Sequence, residues 1–277
     1  MVRSETCDPR GEAQTRMMPG LTIHRVGHEP IAALRVAFLS EHPVQIRYEA
    51  CHLRSKVDYY LMHWGGAVAG YACLKGFATA TDRDSLFEWY VLPPFRAQST
   101  HFFREVLRTC RPEYIESQSN VPQLTWLLYR FATGIRAETV LFLDHRETSL
   151  ESPDTVFRRR SAGDTAFVHT SEPVGDFVLE SAGVIVATGG FLLHYNPPFA
   201  DLYMEVHPDY RRRGYGSFLL QEIKRACYAA GRAPAARCHI DNEASFFTLL
   251  KAGFQVAGQV LSGTVEAQHI TQNTTHE

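Results

Sequence analysis

Two stretches of this 277-residue chain repeat the same order of residues at one fixed separation. In each, a valine at the end of a strand-like run is followed by a proline, an aromatic residue and an arginine. The pairs, each 115 positions apart, are Val91 and Val206, Pro93 and Pro208, Phe95 and Tyr210, and Arg96 and Arg211. A helical pattern follows in both places. Such a match indicates duplication of one supersecondary unit, with chance as the alternative because strand–proline–helix successions are common.

The repeat continues into a second helix, where Asn120 and Asn242 both precede leucine-rich segments. Short strands and helices alternate around both copies, which predicts an α+β fold of two tandem domains. Each is expected to have a mixed, mostly antiparallel sheet flanked by helices. We predict no fold for residues 1–18, a first domain at 19–146, a linker at 147–154, a second domain at 155–264 and a flexible tail at 265–277.

The second copy contains an anion-binding pattern that the first copy lacks. A strand ends before Pro208, and Arg211–Arg213, Gly214 and Gly216 follow at the start of a helix. Free N–H groups and the positive dipole of a helix N-terminus bind phosphate-type anions. Glycines permit close approach of the backbone, and arginines add donors. A basic surface turn is the alternative interpretation.

The run from Val206 to Ser217 resembles the pyrophosphate-binding signature of the GNAT superfamily, the acyl-coenzyme A N-acetyltransferases. The run from Asn242 to Phe254 is similar to the second motif of that family, although alone it would be an ordinary capped helix. By this resemblance the cofactor is acetyl-CoA. It would be bound by Met204, Val206, Arg211, Arg212, Arg213, Gly214, Tyr215, Gly216, Ser217, Asn242 and Ser245.

The first copy resembles a degenerate GNAT domain. Ser99 and His101 stand where the second copy has its two glycines, and Ala97-Gln98 replace two of the arginines. Side chains at the glycine positions would obstruct a pyrophosphate, and two positive charges are missing. We therefore expect the second half alone to bind acetyl-CoA.

The resemblance implies direct attack of an amine on the thioester, which requires a base. Glu205 is our candidate, and the alternative is that it faces solvent or pairs with an arginine. Three histidines are further candidates: His194, His207 and His239. Many family members carry a tyrosine that donates to the leaving thiolate, but Leu249 occupies that place here. The general acid stays open among Ser245, Cys238, Tyr203 and a water molecule.

Composition narrows the class of protein. The net charge is −2 and the pI is about 6.7, which argues against a dedicated nucleic-acid or anionic-membrane binder. Six scattered cysteines form no metal-binding spacing, so we expect no metal and reduced thiols. No apolar run is long enough for a signal core or a membrane span, which predicts a cytoplasmic location.

Two functional classes follow. The first is an N-acetyltransferase that moves an acetyl group from acetyl-CoA to a primary amine of a small molecule, peptide or protein. The second is a non-catalytic acyl-CoA-binding or regulatory protein, which the absent tyrosine at Leu249 allows. Transfer of longer acyl or aminoacyl groups on the same fold is a third reading. The sequence indicates neither the acceptor nor the oligomeric state.

Overall fold

A computed structural model describes residues 20–45, 48–54 and 56–270. The segment 1–18 and most of the tail, both expected to lack a fold, lie outside the described residues. Val265 ends the last strand in a buried position, and a short 3-10 turn follows at Ala267–His269.

The two halves contain the same succession of strands and helices, except that two helices are missing from the second. The first half consists of β1 (Leu21–Val26), α1 (Ala32–Glu41), α2 (Tyr48–Leu53), β2 (Asp58–Trp64), β3 (Ala67–Lys75), β4 (Ser85–Val91), α3 (Ser99–Cys110), β5 (Tyr114–Gln118), α4 (Pro122–Phe131) and β6 (Ala132–Asp144). The second consists of β7 (Thr155–Arg159), β8 (Phe177–Ser181), β9 (Val184–Leu192), β10 (Phe199–Val206), α5 (Tyr215–Ala229), β11 (Ala233–His239), α6 (Glu243–Lys251) and β12 (Phe254–Val265).

All twelve strands join in one sheet, in the order β1-β2-β3-β4-β5-β12-β6-β11-β10-β9-β8-β7. Only β4 with β5 and β10 with β11 pair in parallel; the other neighbours are antiparallel. Helices flank the sheet, so the predicted tandem α+β architecture is confirmed.

The halves exchange their last strands. β12 pairs with β5 and β6, which both belong to the first half, and β6 pairs with β12 and β11. The contact between β6 and β12 runs from Phe254 opposite Asp144 to Val265 opposite Ala132. Each half therefore completes the sheet of the other, a feature that the sequence repeat did not reveal.

The exchange also mixes the two hydrophobic cores. The core of the first half contains Trp89, Phe102 and Leu127, together with Tyr195 and Val260 from the second half. The core of the second half is built on α5 and includes Phe142 from β6. Because each core needs side chains from both halves, the halves stabilise each other.

Helix α5 has an apolar face toward the sheet, with Leu219, Ile223 and Cys227 fully buried. The polar residues Gln221 and Lys224 are also buried, because the segment after β6 covers them. Gln221 exchanges two hydrogen bonds with the backbone of Leu150, and Lys224 Nζ donates to the carbonyl oxygen of Arg146 at 2.8 Å.

Candidate functional site

Strands β10 and β11 are in register over three positions only, from Phe199 opposite Ala233 to Asp201 opposite Ala235. Beyond them the strands separate, while β10 stays paired with β9 as far as Val206. This opening leaves backbone groups on one edge of β10 without a strand partner among the described residues. Met204 and Val206, predicted to bind the cofactor through their backbone, lie on this edge.

The turn after β10 presents N–H groups toward the opening. Arg212 and Gly214 have left-handed backbones, with φ of 62° and 86°, and α5 begins at Tyr215. No side chain in the described part of the chain caps this helix. Within α5, the first N–H to find a carbonyl partner is that of Phe218, which donates to Gly214 O at 3.1 Å. The N–H groups of residues 215–217 therefore have no intrahelical partner.

The arginines divide into two that hold the turn and one that is free to contact a ligand. Arg211 Nε donates to Val206 O at 3.2 Å, and Arg213 Nη2 donates to Asp209 O at 3.1 Å. Arg213 also covers the ring of Tyr210. The side chain of Arg212 is exposed and has no polar partner within the ranges that the structure describes.

Lys251 is a further cation that we did not assign from the sequence. A Cβ added to Gly214 would lie 3.8 Å from its Nζ atom. The residue forms part of the second sequence motif, the run from Asn242 to Phe254. The fold brings this end of α6 beside the start of α5, so the ammonium adds positive charge beside the turn at Gly214.

Gly216 has a packing role beside the cofactor role that its motif suggested. A Cβ on this residue would approach Thr248 Cγ2 to 3.1 Å and Met204 Cε to 3.2 Å. The glycine therefore favours the close packing of α5 on β10 and α6. Gly214, by contrast, is required by its positive φ, with open space around it.

Glu205 lies on the opposite face of β10 from Met204, because side chains alternate along a strand. Its carboxylate accepts hydrogen bonds from Thr170 N at 3.0 Å, Thr170 Oγ1 at 2.9 Å, Ser171 N at 3.0 Å and Glu172 N at 3.0 Å. Burial raises its pKa, but these donors outweigh burial and hold the pKa at about 2. The carboxylate is neither in solvent nor paired with arginine, and it is a weak proton acceptor.

A cleft of about 270 Å³ opens on this same face where β10 and β11 separate. Its lining comes from β9, β10, β11, the β7–β8 connection and the exchanged strand β6, and consists of Thr139, Glu172, Leu192, Asp201, Leu202, Tyr203, Arg237, Cys238 and His239. Thr139 is the one contribution of the first half. Asp201 lies 3.2 Å from His194 Nε2 and 3.8 Å from Arg237 Nε.

A larger hollow of about 550 Å³ lies beside β8 and β9, next to Arg158, Phe167 and His207. The only arginine that lines this hollow, Arg158, already forms ion pairs with Asp164 and Glu180. None of the residues that line the hollow belongs to α5 or to the turn at Gly214. We therefore take the smaller cleft as the candidate site.

The remaining predicted residues lie at the start of α6. Asn242 Oδ1 accepts from Ser245 N at 3.1 Å, so the asparagine caps the helix, as its sequence position predicted. The half-buried Ser245 lies on the first turn of α6. Leu249 is buried in the second core. His207 accepts from Asp209 N and packs on Phe167, outside the cleft.

Comparison with known proteins gives this geometry a family. Residues 138–254 match the sequence model of the acetyltransferase (GNAT) family. The matched segment, which runs from β6 to the start of β12, is termed the GNAT domain below. A GNAT-family acetyltransferase from Colwellia psychrerythraea superimposes with a TM-score of 0.70 at 15% identity, over 88% of this chain and all of the other. A tandem GNAT protein from the clavulanic acid biosynthesis pathway gives a TM-score of 0.52 at 12% identity, over 88% of this chain and 98% of the other. No curated protein matches the sequence.

The turn that corresponds in the first half has another conformation. Ser99 aligns with Gly214 of the GNAT domain, but its backbone is right-handed helical, with φ of −51°. A 3-10 helix over Pro93–Gln98 runs directly into α3. Ser99 Oγ accepts from Gln123 Nε2 at 2.8 Å. Arg96 Nε still donates to Val91 O at 3.2 Å, as Arg211 does to Val206 in the GNAT domain.

A buried polar cluster occupies the face of β4 that corresponds to the cleft of the GNAT domain. Glu88, which aligns with Tyr203, is fully buried and binds Arg35 Nε at 3.2 Å and Tyr71 Oη at 2.7 Å. Arg35 also donates to Asn196 from the second half at 3.0 Å. Burial raises the pKa of Glu88, but His52, Arg35 and Tyr71 outweigh it and lower the pKa to about 2.

His52, Glu88 and Cys73 form one group of potential metal ligands within the described ranges. Glu88 already has Arg35, Tyr71 and His52 as partners, and the positive guanidinium opposes a cation there.

None of the helices that the structure describes has the length and apolar character needed to cross a membrane.

Proposed function

We propose that this protein is an N-acetyltransferase that uses acetyl-CoA, bound by its second half, to acetylate a primary amine. One observation carries the proposal: an uncapped helix N-terminus with a left-handed glycine turn lies at the opening between β10 and β11. The motif turn lies at one side of this opening and a polar cleft at the other. The family match at residues 138–254 supports the same conclusion.

The pyrophosphate would be bound by the N–H groups of residues 215–217, with Arg212 and Lys251 adding positive charge. The pantetheine arm would follow the unpaired edge of β10 at Met204 and Val206. Asn242 and Ser245 would flank the cofactor from α6. This arrangement delivers the thioester to the opening and the amine to the cleft, which is the positioning that acyl transfer needs.

In the reaction, the amine nitrogen bonds to the carbonyl carbon, the C–S bond breaks and coenzyme A leaves as a thiolate. The ammonium proton must first go to a base. Cys238 and Tyr203 line the cleft, and burial raises the pKa of both groups, so they stay protonated and able to donate to the thiolate. Ser245 is the alternative donor.

The test is calorimetry with acetyl-CoA on the whole protein and two matched variants. Gly214→Asp places a carboxylate beside the phosphates, where charge repulsion of about 3 kcal/mol is expected near the protein surface. We expect an affinity loss of about 100-fold or more, since 1.4 kcal/mol is a factor of ten. Ser99→Asp introduces the same charge in the first half and should leave affinity unchanged. Equal effects of the two variants, or no heat with the wild type, would refute the assignment.

A non-catalytic acyl-CoA-binding protein is the second candidate. Leu249 in place of a proton donor and the fully hydrogen-bonded carboxylate of Glu205 favour it. Coenzyme A release over a panel of primary amines separates the two functions. Tight acetyl-CoA binding without turnover of any amine would favour the regulatory protein.

A further inference from the structure

We propose that Glu172 takes the proton from the acceptor amine, and that Glu205 is a positioning residue that holds the Glu172 loop on the sheet. This inference rests on the proposed function, because it assigns roles within the same cleft. The sequence analysis named Glu205 as the candidate base; here Glu172 is the base, and Glu205 holds the segment that carries it.

The Glu172 loop, residues 160–176, connects β7 to β8 and stands where the first half has α1 and α2. Three contacts hold it in place. Arg160 N donates to Asp176 O at 2.8 Å and closes the base of the loop. Gly175 N donates to Thr188 Oγ1 of β9 at 3.2 Å, and His169 Nε2 lies 2.9 Å from the same hydroxyl. The loop thus covers the face of β9 and β10 opposite α5.

Glu205 is the fourth and strongest anchor. Its four donors belong to Thr170, Ser171 and Glu172. Hydrogen bonds from backbone N–H groups to a carboxylate are charge-assisted and stronger than neutral ones. A carboxylate occupied in this way must lose several of these bonds before it can accept a proton. Its chemistry therefore favours holding the loop.

Glu172 has the opposite environment. Its backbone N–H donates to Glu205, while its partly exposed side chain lines the cleft and can be reached by a ligand. Burial raises its pKa, Asp201 and Glu205 raise it further, and only Arg237 lowers it. Tyr203, Cys238 and His239 are the other titratable groups in the cleft. A carboxylate with a raised pKa binds a proton more readily than one with a pKa of about 2.

The ammonium proton passes to the Glu172 carboxylate, directly or through one water molecule, and leaves a neutral amine with a free electron pair. That pair forms the bond to the carbonyl carbon, the C–S electrons leave with sulfur, and the thiolate takes a proton from Cys238 or Tyr203. The nitrogen gives up its second proton, which returns to that donor through water, and a neutral amide remains. Glu172 then releases its proton to solvent.

The experiment measures coenzyme A release by the full chain, with the most active amine from a panel that includes spermidine, histamine and lysine. Glu172→Gln should lower kcat at least about 100-fold, the usual effect of losing a general base. It should also abolish the acid limb of the pH–rate profile and leave acetyl-CoA affinity unchanged. Glu205→Gln should chiefly raise the KM for the amine and keep the acid limb. Glu151→Gln, in an exposed part of the chain, is the control and should behave as the wild type.

The position of the acid limb separates the two carboxylates. If Glu172 is the base, the limb lies above pH 4.5, whereas titration of Glu205 would place it near 2. A limb that survives Glu172→Gln, or that vanishes only in Glu205→Gln, would overturn the inference while the proposed function stands. Absence of acetyl-CoA binding would overturn both.

Carbon-13 NMR of labelled glutamate carboxyls gives a readout that needs no turnover. The two resonances are assigned from the Glu172→Gln and Glu205→Gln spectra. Glu172 should titrate above its ordinary pKa and Glu205 far below it. Reversed values would exclude Glu172 as the base even if no amine in the panel is acetylated.

Discussion

Removing the carboxylate of Glu205 should make the stability of this protein depend differently on pH. The four hydrogen bonds lower the pKa of Glu205 from 4.5 to about 2. At 1.36 kcal/mol per pH unit, this difference corresponds to about 3 kcal/mol of folding free energy when the group is ionised. Glu205 is only 7% exposed, so solvent screening removes little of that value.

The sign follows from the direction of the shift. A lowered pKa stabilises the folded state above the unfolded-state pKa, and the stabilisation disappears as the pH falls from 4.5 through 2. Linkage leaves about 1.4 kcal/mol of it at pH 3. The glutamine of Glu205→Gln adds a pH-independent penalty, because its NH₂ group faces N–H donors. The decisive quantity is therefore the change in the wild-type minus variant difference between pH 7 and pH 3.

Urea unfolding followed by far-UV circular dichroism measures this quantity. We expect the difference to shrink by about 2 kcal/mol between pH 7 and pH 3. Thr170→Val removes one of the four donors that lower this pKa, so it should give a smaller loss that also shrinks at low pH. Glu151→Gln should give no loss. A Glu205→Gln difference that is the same at both pH values would refute the reasoning.

Three other changes test separate parts of the structure. Lys251→Met should weaken acetyl-CoA binding several-fold in a salt-dependent manner, because an ammonium leaves the phosphate turn; calorimetry with Lys56→Met as control checks it, and equal affinities would exclude Lys251 from the site. A fragment of residues 155–264 should not fold, because both partners of β12 lie in the first half; a dispersed NMR spectrum of this fragment would contradict the strand exchange, whereas a fragment that begins at 132 should recover strand signal. Glu88→Gln should cost up to about 3–5 kcal/mol, because it removes one of the two carboxylates that pair with the buried Arg35, the other being Glu49; thermal unfolding measures the loss, and acetyl-CoA affinity should not change.

The strand exchange changes how the role of the first half can be tested. Deleting it would remove β5 and β6 together with whatever it contributes to ligand binding. Point variants such as Ser99→Asp are therefore the informative tools. Thr139 on the exchanged strand β6 lines the cleft, so the first half contributes to the cleft through a strand and not through a loop.

Much of the architecture was predictable because it depends on local pattern. The fixed separation of 115 residues predicted the tandem fold, and the proline and glycines marked where β10 ends and α5 begins. The cap of α6 by Asn242 was predictable, because an N-cap side chain bonds a backbone N–H no more than three residues further along the chain. The glycine turn at the start of α5 was likewise predictable, because one backbone conformation and one helix end are local properties.

Contacts between distant segments were decided only by the tertiary structure. Alternation along β10 placed Glu205 on the cleft face, but nothing local indicated that the N–H groups of residues 170–172 would occupy its carboxylate. The neighbours of β12 were equally hidden, because a strand pattern specifies which side chains are buried but not which strand supplies the hydrogen bonds. The sequence alone determined the two units and the turn at Gly214. Only the folded sheet decided which strands the units exchange and which carboxylate has its oxygen atoms free of hydrogen bonds.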